Sequence, residues 1–225
     1  MAIISGDLHG NLAKARAFLT HKPEETHVCV GDYVDSFNEP GGRQLQCLEL
    51  LVASEALLLW GNHDLHYLPR PLWRCNGYQP VMAPLYRDIF VRALEIGRIT
   101  AACAVDGWLC THAGVHPALM DREMTADEAA ACLNAAFPEQ LNSGGGPLFY
   151  VAAARGGTDP FGGIFWFDPF REGIEPSSRV GRQVFGHTER KKPHVAERWA
   201  CIDTVNSSEC WIFETTSGQA VQIPY

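Results

Sequence analysis

No CxxC pair occurs in this chain, although it carries eight cysteines, at 29, 47, 75, 103, 110, 132, 201 and 210. That spacing argues against a thiolate zinc site. Most of the cysteines lie in apolar surroundings such as HVCV and AACAV, and they read as buried small hydrophobes in a reducing compartment. No apolar run approaches the ~18 residues that a membrane helix needs. No signal peptide opens the chain, because MAIISGDLHG is already strand-and-loop sequence. A cytoplasmic protein without membrane contacts is the expectation. Excess positive charge is also missing: the formal net charge is −8, which argues against a dedicated nucleic-acid binder. There is no linker rich in serine or charge and no internal repeat, so residues 1–225 read as a single domain.

What is present is enough apolar sequence for a sizeable core, 46% of the residues, with 20% charged, which excludes a disordered chain. Three short apolar runs, Ala2 to Ser5, HVCV and ALLLW, each end in Gly-Asp or Gly-Asn. Between them lie helical patterns, with Leu12, Ala15, Phe18 and Leu19 on one face and Leu45, Leu48, Leu51 and Val52 on another. This β-α-β-α-β order predicts a parallel sheet with helices packed on it and chemistry at the carboxyl ends of the strands. Residues 68–84, rich in Pro and Gly punctuation, read as a long loop or cap. A helix is expected through Leu85 to Leu94. A strand, a turn at Asp106-Gly107 and a second strand should follow, then a helix capped by Thr125 and Glu128 and running to about Phe137. Four strand-like runs after residue 181 predict a second sheet, led by the C-terminal half.

Polar clusters sit at the strand ends: GDLHG from Gly6, GDYVDSF from Gly31, GNHD from Gly61, THAG from Thr111, GHT from Gly186 and IDT from Ile202. Any one of them is ordinary; Asn-His-Asp, for instance, can be a simple turn. Together they place Asp, His, Asp, Asn, His and His after apolar strands, mostly beside glycines that let a ligand approach closely. Oxygen and imidazole donors without thiolates suit Mn, Fe, Zn or Ni. There are enough donors for two divalent ions sharing one carboxylate, an arrangement that clamps and activates oxygens around phosphorus.

In this order the clusters resemble those of the calcineurin-like metallophosphoesterases, in particular the PPP-type branch with the bacterial and phage enzymes similar to lambda phosphatase. The family pattern is GDxHG, GDxVDRG, GNHE, HAG or HGG, and GH, and the resemblance spans Gly6 to about Thr204. It implies an α/β fold, a two-sheet β-sandwich core flanked by helices. It implies two divalent metal ions, manganese first among the choices. Asp7 and His9 would hold the first ion, Asp32 would bridge, and Asn62, His112 and His187 would complete the second. A metal-bound hydroxide would attack phosphorus in line. His63 would protonate the leaving oxygen, with Asp35 orienting it; a carboxylate partner favours and aims an imidazolium. His21, His27 and His194 read as exposed, and His66 and His116 are near enough to the motifs to line the cleft.

One departure bears on substrate. Where the family places Arg-Gly after GDxVD, this chain has Ser36-Phe37, so the planar donor fork that grips phosphate must come from elsewhere. Arg155 is the favoured replacement, ahead of Arg43, Arg70, Arg74 and Arg171. The expected activity is hydrolysis of a phosphorylated substrate, a phosphoprotein or small phosphomonoester. The alternative is a diester or a dinucleoside polyphosphate, with Phe37, Trp73 and Tyr78 available to stack on a base. A third reading, a metal-bound binding module without catalysis, is disfavoured by the intact His63 and Asp35.

Overall fold

The computed structural model describes residues 1–225. The three Gly-Asp/Asn runs are strands β1 (Ala2–Ser5), β2 (Thr26–Cys29) and β3 (Leu57–Leu59). They pair in parallel, and β4 (Ile99–Thr100) continues the parallel ladder beyond β3. Helices α1 (Leu12–Thr20) and α2 (Gly41–Ala53) are the two crossovers. Asn11 caps α1 by accepting the N–H of Lys14, which fixes where the loop after β1 turns into helix. Asn62–Leu65 forms a single helical turn, α3, and Ala83–Glu95 forms α4.

The run RITAACAV divides between two sheets. After β4, Ala101 breaks the strand, and the side-chain oxygen of Asn134 accepts the N–H groups of Ala101 and Ala102 at 3.0 and 3.1 Å. β5 (Ala102–Val105) then starts the second sheet and turns at Asp106-Gly107 into β6 (Trp108–Thr111). Both turn residues have positive φ, +49° and +74°, which suits a tight hairpin between twisted strands. Helix α5 (Ala126–Ser143) begins at the Thr125–Glu128 capping box, continues through Pro138 beyond the expected end, and stops at Gly144 with φ +90°. α6 (Pro169–Glu172), β7 (Arg182–Phe185), β8 (His194–Val195), β9 (Trp199–Cys201), β10 (Cys210–Glu214) and β11 (Gln219–Ile223) complete the chain.

The sheet orders are β11-β10-β1-β2-β3-β4 and β5-β6-β7-β9-β8. This corrects the division by sequence halves. β10 and β11 join the N-terminal sheet, β10 antiparallel to β1 and β11 antiparallel to β10, while the middle of the chain supplies β5 and β6 of the second sheet. The two sheets meet through Ile4, Val28, Val30 and Leu59 on one side and Trp108, Cys110, Val184 and Ala200 on the other. A larger apolar cluster lies under the helices, including Phe18, Leu48, Phe90 and Leu133. The result is an α/β sandwich with helices outside both sheets. No helix is long and apolar enough to cross a membrane.

Candidate metal centre

The candidate ligands sit just past strand ends: Asp7 and His9 after β1, Asp32 after β2, Asn62 after β3, His112 after β6 and His187 after β7. The loops open onto a cavity of about 560 Å³ lined by Asp7, His9, Asp32, Asn62 and His187, with His112 fully buried behind it. The backbone is bent to achieve this. His9, Asp32, Asp35 and His187 take φ of +42°, +55°, +72° and +64°, in the left-handed region that costs most side chains about 1–3 kcal/mol. Glycine is required beside two of the carboxylates. A Cβ at Gly61 would collide with Asp32 Oδ1, and one at Gly186 with Asp7 Oδ1.

Hydrogen bonds fix which ring atoms face the centre. His9 Nδ1 donates to Val34 O at 2.7 Å and His112 Nδ1 to Val30 O at 2.9 Å. Each therefore turns an unprotonated Nε2 inward. That of His9 lies 3.6 Å from Asp32 Oδ2, and that of His112 lies 3.5 Å from the same oxygen. The amide nitrogen of Asn62 points at Cys75 Sγ, 3.3 Å away, so its oxygen is the atom 2.8 Å from His112 Nε2. His187 Nδ1 is 3.3 Å from that oxygen and 3.2 Å from His112 Nε2. Lone pairs of His112 Nε2, Asn62 Oδ1 and Asp32 Oδ2 thus converge without protons between them, with His187 Nδ1 beside them. Such a set is repulsive alone and fits divalent cations. Donor atoms of Asp7, Asp32 and His112 cluster within 4.8 Å, as do those of His9, Asp32 and His63, and Asp32 is common to both groups.

The electrostatics follow from this crowding. Burial, then the charges of Asp203 and Asp32, push the Asp7 carboxyl well above its ordinary value. Burial opposes ionisation of Asp32 too, but His112, His63 and His9 together hold it below the usual carboxylate range. Burial lowers His9, His112 and His187, a shift toward the neutral ring that ligation requires. Burial also works against charge on His63, yet Asp32 and Asp35 outweigh it and raise its pKa. The Asp35 carboxylate lies 2.9 Å from His63 Nδ1, so His63 presents its other nitrogen to the cavity.

Several residues carry roles in this geometry that the sequence did not assign them, two of them inside the clusters GNHD and IDT. Asp64 is fully buried and accepts the backbone N–H groups of Asp32, Tyr33 and Gly61 at 2.8, 2.9 and 2.9 Å. Gln44, also fully buried, accepts the N–H of Asp35 at 2.8 Å and of Ser36 at 3.1 Å. Asp203 of the IDT cluster lines the cavity, its carboxyl raised to about 7 chiefly by burial. Nothing local in the sequence marks a buried Gln or Asp as a loop anchor. Ser36 is a turn former: its Oγ accepts the N–H groups of Asn38 and Glu39.

The other histidines sort differently from expectation. His27 is buried, with its nitrogens 2.9 and 3.0 Å from Glu25 O and His21 O. His116 caps a short 3-10 turn and stacks on Phe161. His66 lies behind Asp35 rather than in the cleft.

Of the candidate arginines, Arg155 and Arg171 line the cavity, and Arg190, overlooked in the sequence, joins them. Arg155 Nη2 donates to Thr188 Oγ1 at 2.9 Å and forms an ion pair with Asp168 Oδ2, also at 2.9 Å. Arg43 instead pairs with Glu39, and Arg74 lies over the Tyr78 ring. Phe37 is 81% exposed at the cavity mouth. Trp73 donates to Asn62 O and packs on Trp166, and Tyr78 stacks on Tyr67, so these two are packing residues.

The sequence matches the calcineurin-like phosphoesterase family over residues 2–190. The chain belongs to that family, and it is a phosphoester hydrolase with a His/Asp cluster able to hold metal. No curated protein matches it. Among solved structures it is similar to a cold-active protein-tyrosine phosphatase of a psychrophilic Shewanella species. The TM-score is 0.62 at 16% identity, covering 99% of this chain and 80% of that one. A putative diadenosine tetraphosphatase gives 0.56 at 19% identity, covering 99% and 92%. A serine/threonine phosphatase of Saccharomyces cerevisiae gives 0.51 at 14% identity, covering 94% and 71%. At these identities the likeness is one of fold.

Proposed function

We propose that this protein is a phosphomonoesterase working with two divalent metal ions, manganese first. The observation that carries the reading is the set of converging lone pairs on His112, Asn62 and Asp32, with His187 Nδ1 beside them. Asp7, His9 and Asp32 would hold one ion, and Asp32, Asn62, His112 and His187 the other. When bound, the ions supply Lewis acidity toward phosphoryl oxygens and an activated water. Asp32 serves both positions. His63, held at Nδ1 by Asp35, delivers a proton from Nε2 to the leaving oxygen. Arg155, steadied by Asp168, grips a phosphoryl oxygen in place of the arginine absent at Ser36. Residues 68–84, which bring Cys75 and Asn76 to the cavity wall, act as a cap.

A second reading, hydrolysis of a diester or phosphoanhydride, draws on Phe37 at the mouth and on Arg171 and Arg190 along the wall. The test is to assay metal-loaded protein on p-nitrophenyl phosphate, bis-p-nitrophenyl phosphate, a phosphopeptide and a dinucleoside tetraphosphate. Turnover of the monoesters is expected. Turnover confined to the last or second compound would favour the second reading. None on any, with metal bound, would defeat both.

A further inference from the structure

Asp35 is engaged by more than the one histidine it would orient. Its Oδ2 lies 2.9 Å from His63 Nδ1 and 2.6 Å from His66 Nε2, and its Oδ1 accepts the hydroxyl of Tyr67. Asp35, His66 and Tyr67 are all buried, at 2%, 2% and 0% exposure.

Both extra donors are fixed from behind. His66 Nδ1 accepts the backbone N–H of Cys75 at 2.9 Å. A ring nitrogen that accepts an N–H carries no proton, so the neutral ring has its proton on Nε2, facing Asp35. Tyr67 is set in the same way: its oxygen accepts the N–H of Gln79 at 3.0 Å, which leaves its own proton for Asp35. The rings are held by edge contact with each other and by the Tyr78 ring, which stacks on Tyr67 and meets His66 edge-on.

The physical consequence concerns rotation. The terminal torsion of an aspartate is broad, so a carboxylate paired with one imidazole swings with it. Here one oxygen accepts a phenolic proton, and the other lies in polar contact, 2.6 Å, with a second imidazole. The backbone of Asp35 is pinned as well, by the bond of its N–H to Gln44. A side chain that only filled space behind Asp35 would need neither a fixed tautomer nor a directed hydroxyl.

We propose that His66 and Tyr67 are positioning residues for proton delivery: anchored by the backbone N–H groups of Cys75 and Gln79, they lock the Asp35 carboxylate in the orientation that aims His63 at the leaving oxygen. The proposal rests on the assignment of His63 as the proton donor. It makes the segment after α3 part of the acid machinery, although that segment contributes no proton.

The first test needs no turnover. Long-range 1H–15N correlation spectra of the protein loaded with diamagnetic zinc should show His66 as the Nε2–H tautomer with Nδ1 unprotonated. An Nδ1–H tautomer would overturn the proposal. The second test is kinetic. His66→Phe keeps an aromatic ring but removes the donor, and Tyr67→Phe removes one hydroxyl, so the second variant serves if the first fails to fold. Each should lower kcat on an alkyl phosphate on the order of tenfold to a hundredfold, a share of what a general acid contributes. Turnover of p-nitrophenyl phosphate should change less than about threefold, since its leaving oxygen barely needs a proton, and KM should hold on both. His66→Gln, which restores an N–H donor, should recover most of the loss, and His66→Phe added to His63→Ala should cost nothing further. Equal losses on both substrates, or none on the alkyl ester, with His63→Ala still discriminating, would overturn the positioning role alone. If His63→Ala itself failed to discriminate, the donor assignment would fall and the proposal with it.

Discussion

The carboxylate of Asp64 accepts the backbone N–H of Asp32 at 2.8 Å, so one buried acid holds the candidate bridging acid from behind. The same carboxylate takes the N–H groups of Tyr33 and Gly61 and so ties the loop after β2 to the loop after β3. Asp64→Ala would leave these buried donors without acceptors, at about 1–3 kcal/mol each. The expected loss in urea unfolding is about 3 kcal/mol or more, with faster loss of metal on dialysis against a chelator. Wild-type stability and retention would reject Asp64 as the anchor.

Asp32→Asn should reduce the metal content of the loaded protein from two ions toward one, measured by elemental analysis after gel filtration. The amide keeps the shape of the side chain and removes the charge that two dications would share. Retention of both ions with unchanged affinity would contradict the bridging assignment.

His63→Ala should slow an alkyl phosphate far more than p-nitrophenyl phosphate. General acid catalysis is worth on the order of a hundredfold to ten-thousandfold where the leaving group needs a proton, and little where it does not. Parallel losses on the two substrates would reject His63 as the acid.

Arg155→Ala should cost about 1.5–3 kcal/mol of interaction with a charged phosphoryl group, roughly tenfold to a hundredfold in kcat/KM. Lysine should restore little of it, because an ammonium does not reproduce the planar fork held against Asp168 and Thr188. Asp168→Asn, which loosens that fork, should give a smaller loss in the same direction. Unchanged kinetics in Arg155→Ala would move the phosphate contact to Arg171 or Arg190.

The capping box of α5 provides a pH test away from the site. The N–H of Thr125, then its hydroxyl, hold the Glu128 carboxyl below its ordinary range. A carboxylate whose folded pKa is depressed adds stability above its unfolded pKa, and that stability disappears as pH falls through the folded value. Glu128→Gln should therefore lower Tm at pH 7, and the gap from wild type should close toward pH 3. A gap that persists undiminished in acid would show that ionisation of Glu128 does not contribute.

The candidate ligands could be placed because each follows a short apolar run and sits beside glycine or another polar residue, so local sequence already puts it at a strand end. Their supports could not. Asp64, Gln44 and His66 act through partners on other loops, and a buried glutamine carries no local mark of what it will bind. Sheet membership was misread for the same reason. Nothing in ECWIFETT states that its neighbour is Ala2 to Ser5, and nothing in RITAACAV shows that Asn134 will take the N–H groups at the break. Arg190 was missed because it lies outside every motif, three residues after His187.

The pairing of β1 with β10 joins residues about two hundred positions apart, Ile3 opposite Glu214 and Ser5 opposite Ile212. The strand that delivers Asp7 is therefore an open edge throughout synthesis until residues 210–214 have left the ribosome. Its N–H and C=O groups are bare on that side for the whole interval, and unpaired edges of this kind recruit other chains. The loop that carries Asp7 thus gains its full support only when β1 meets β10, a strand made long after it.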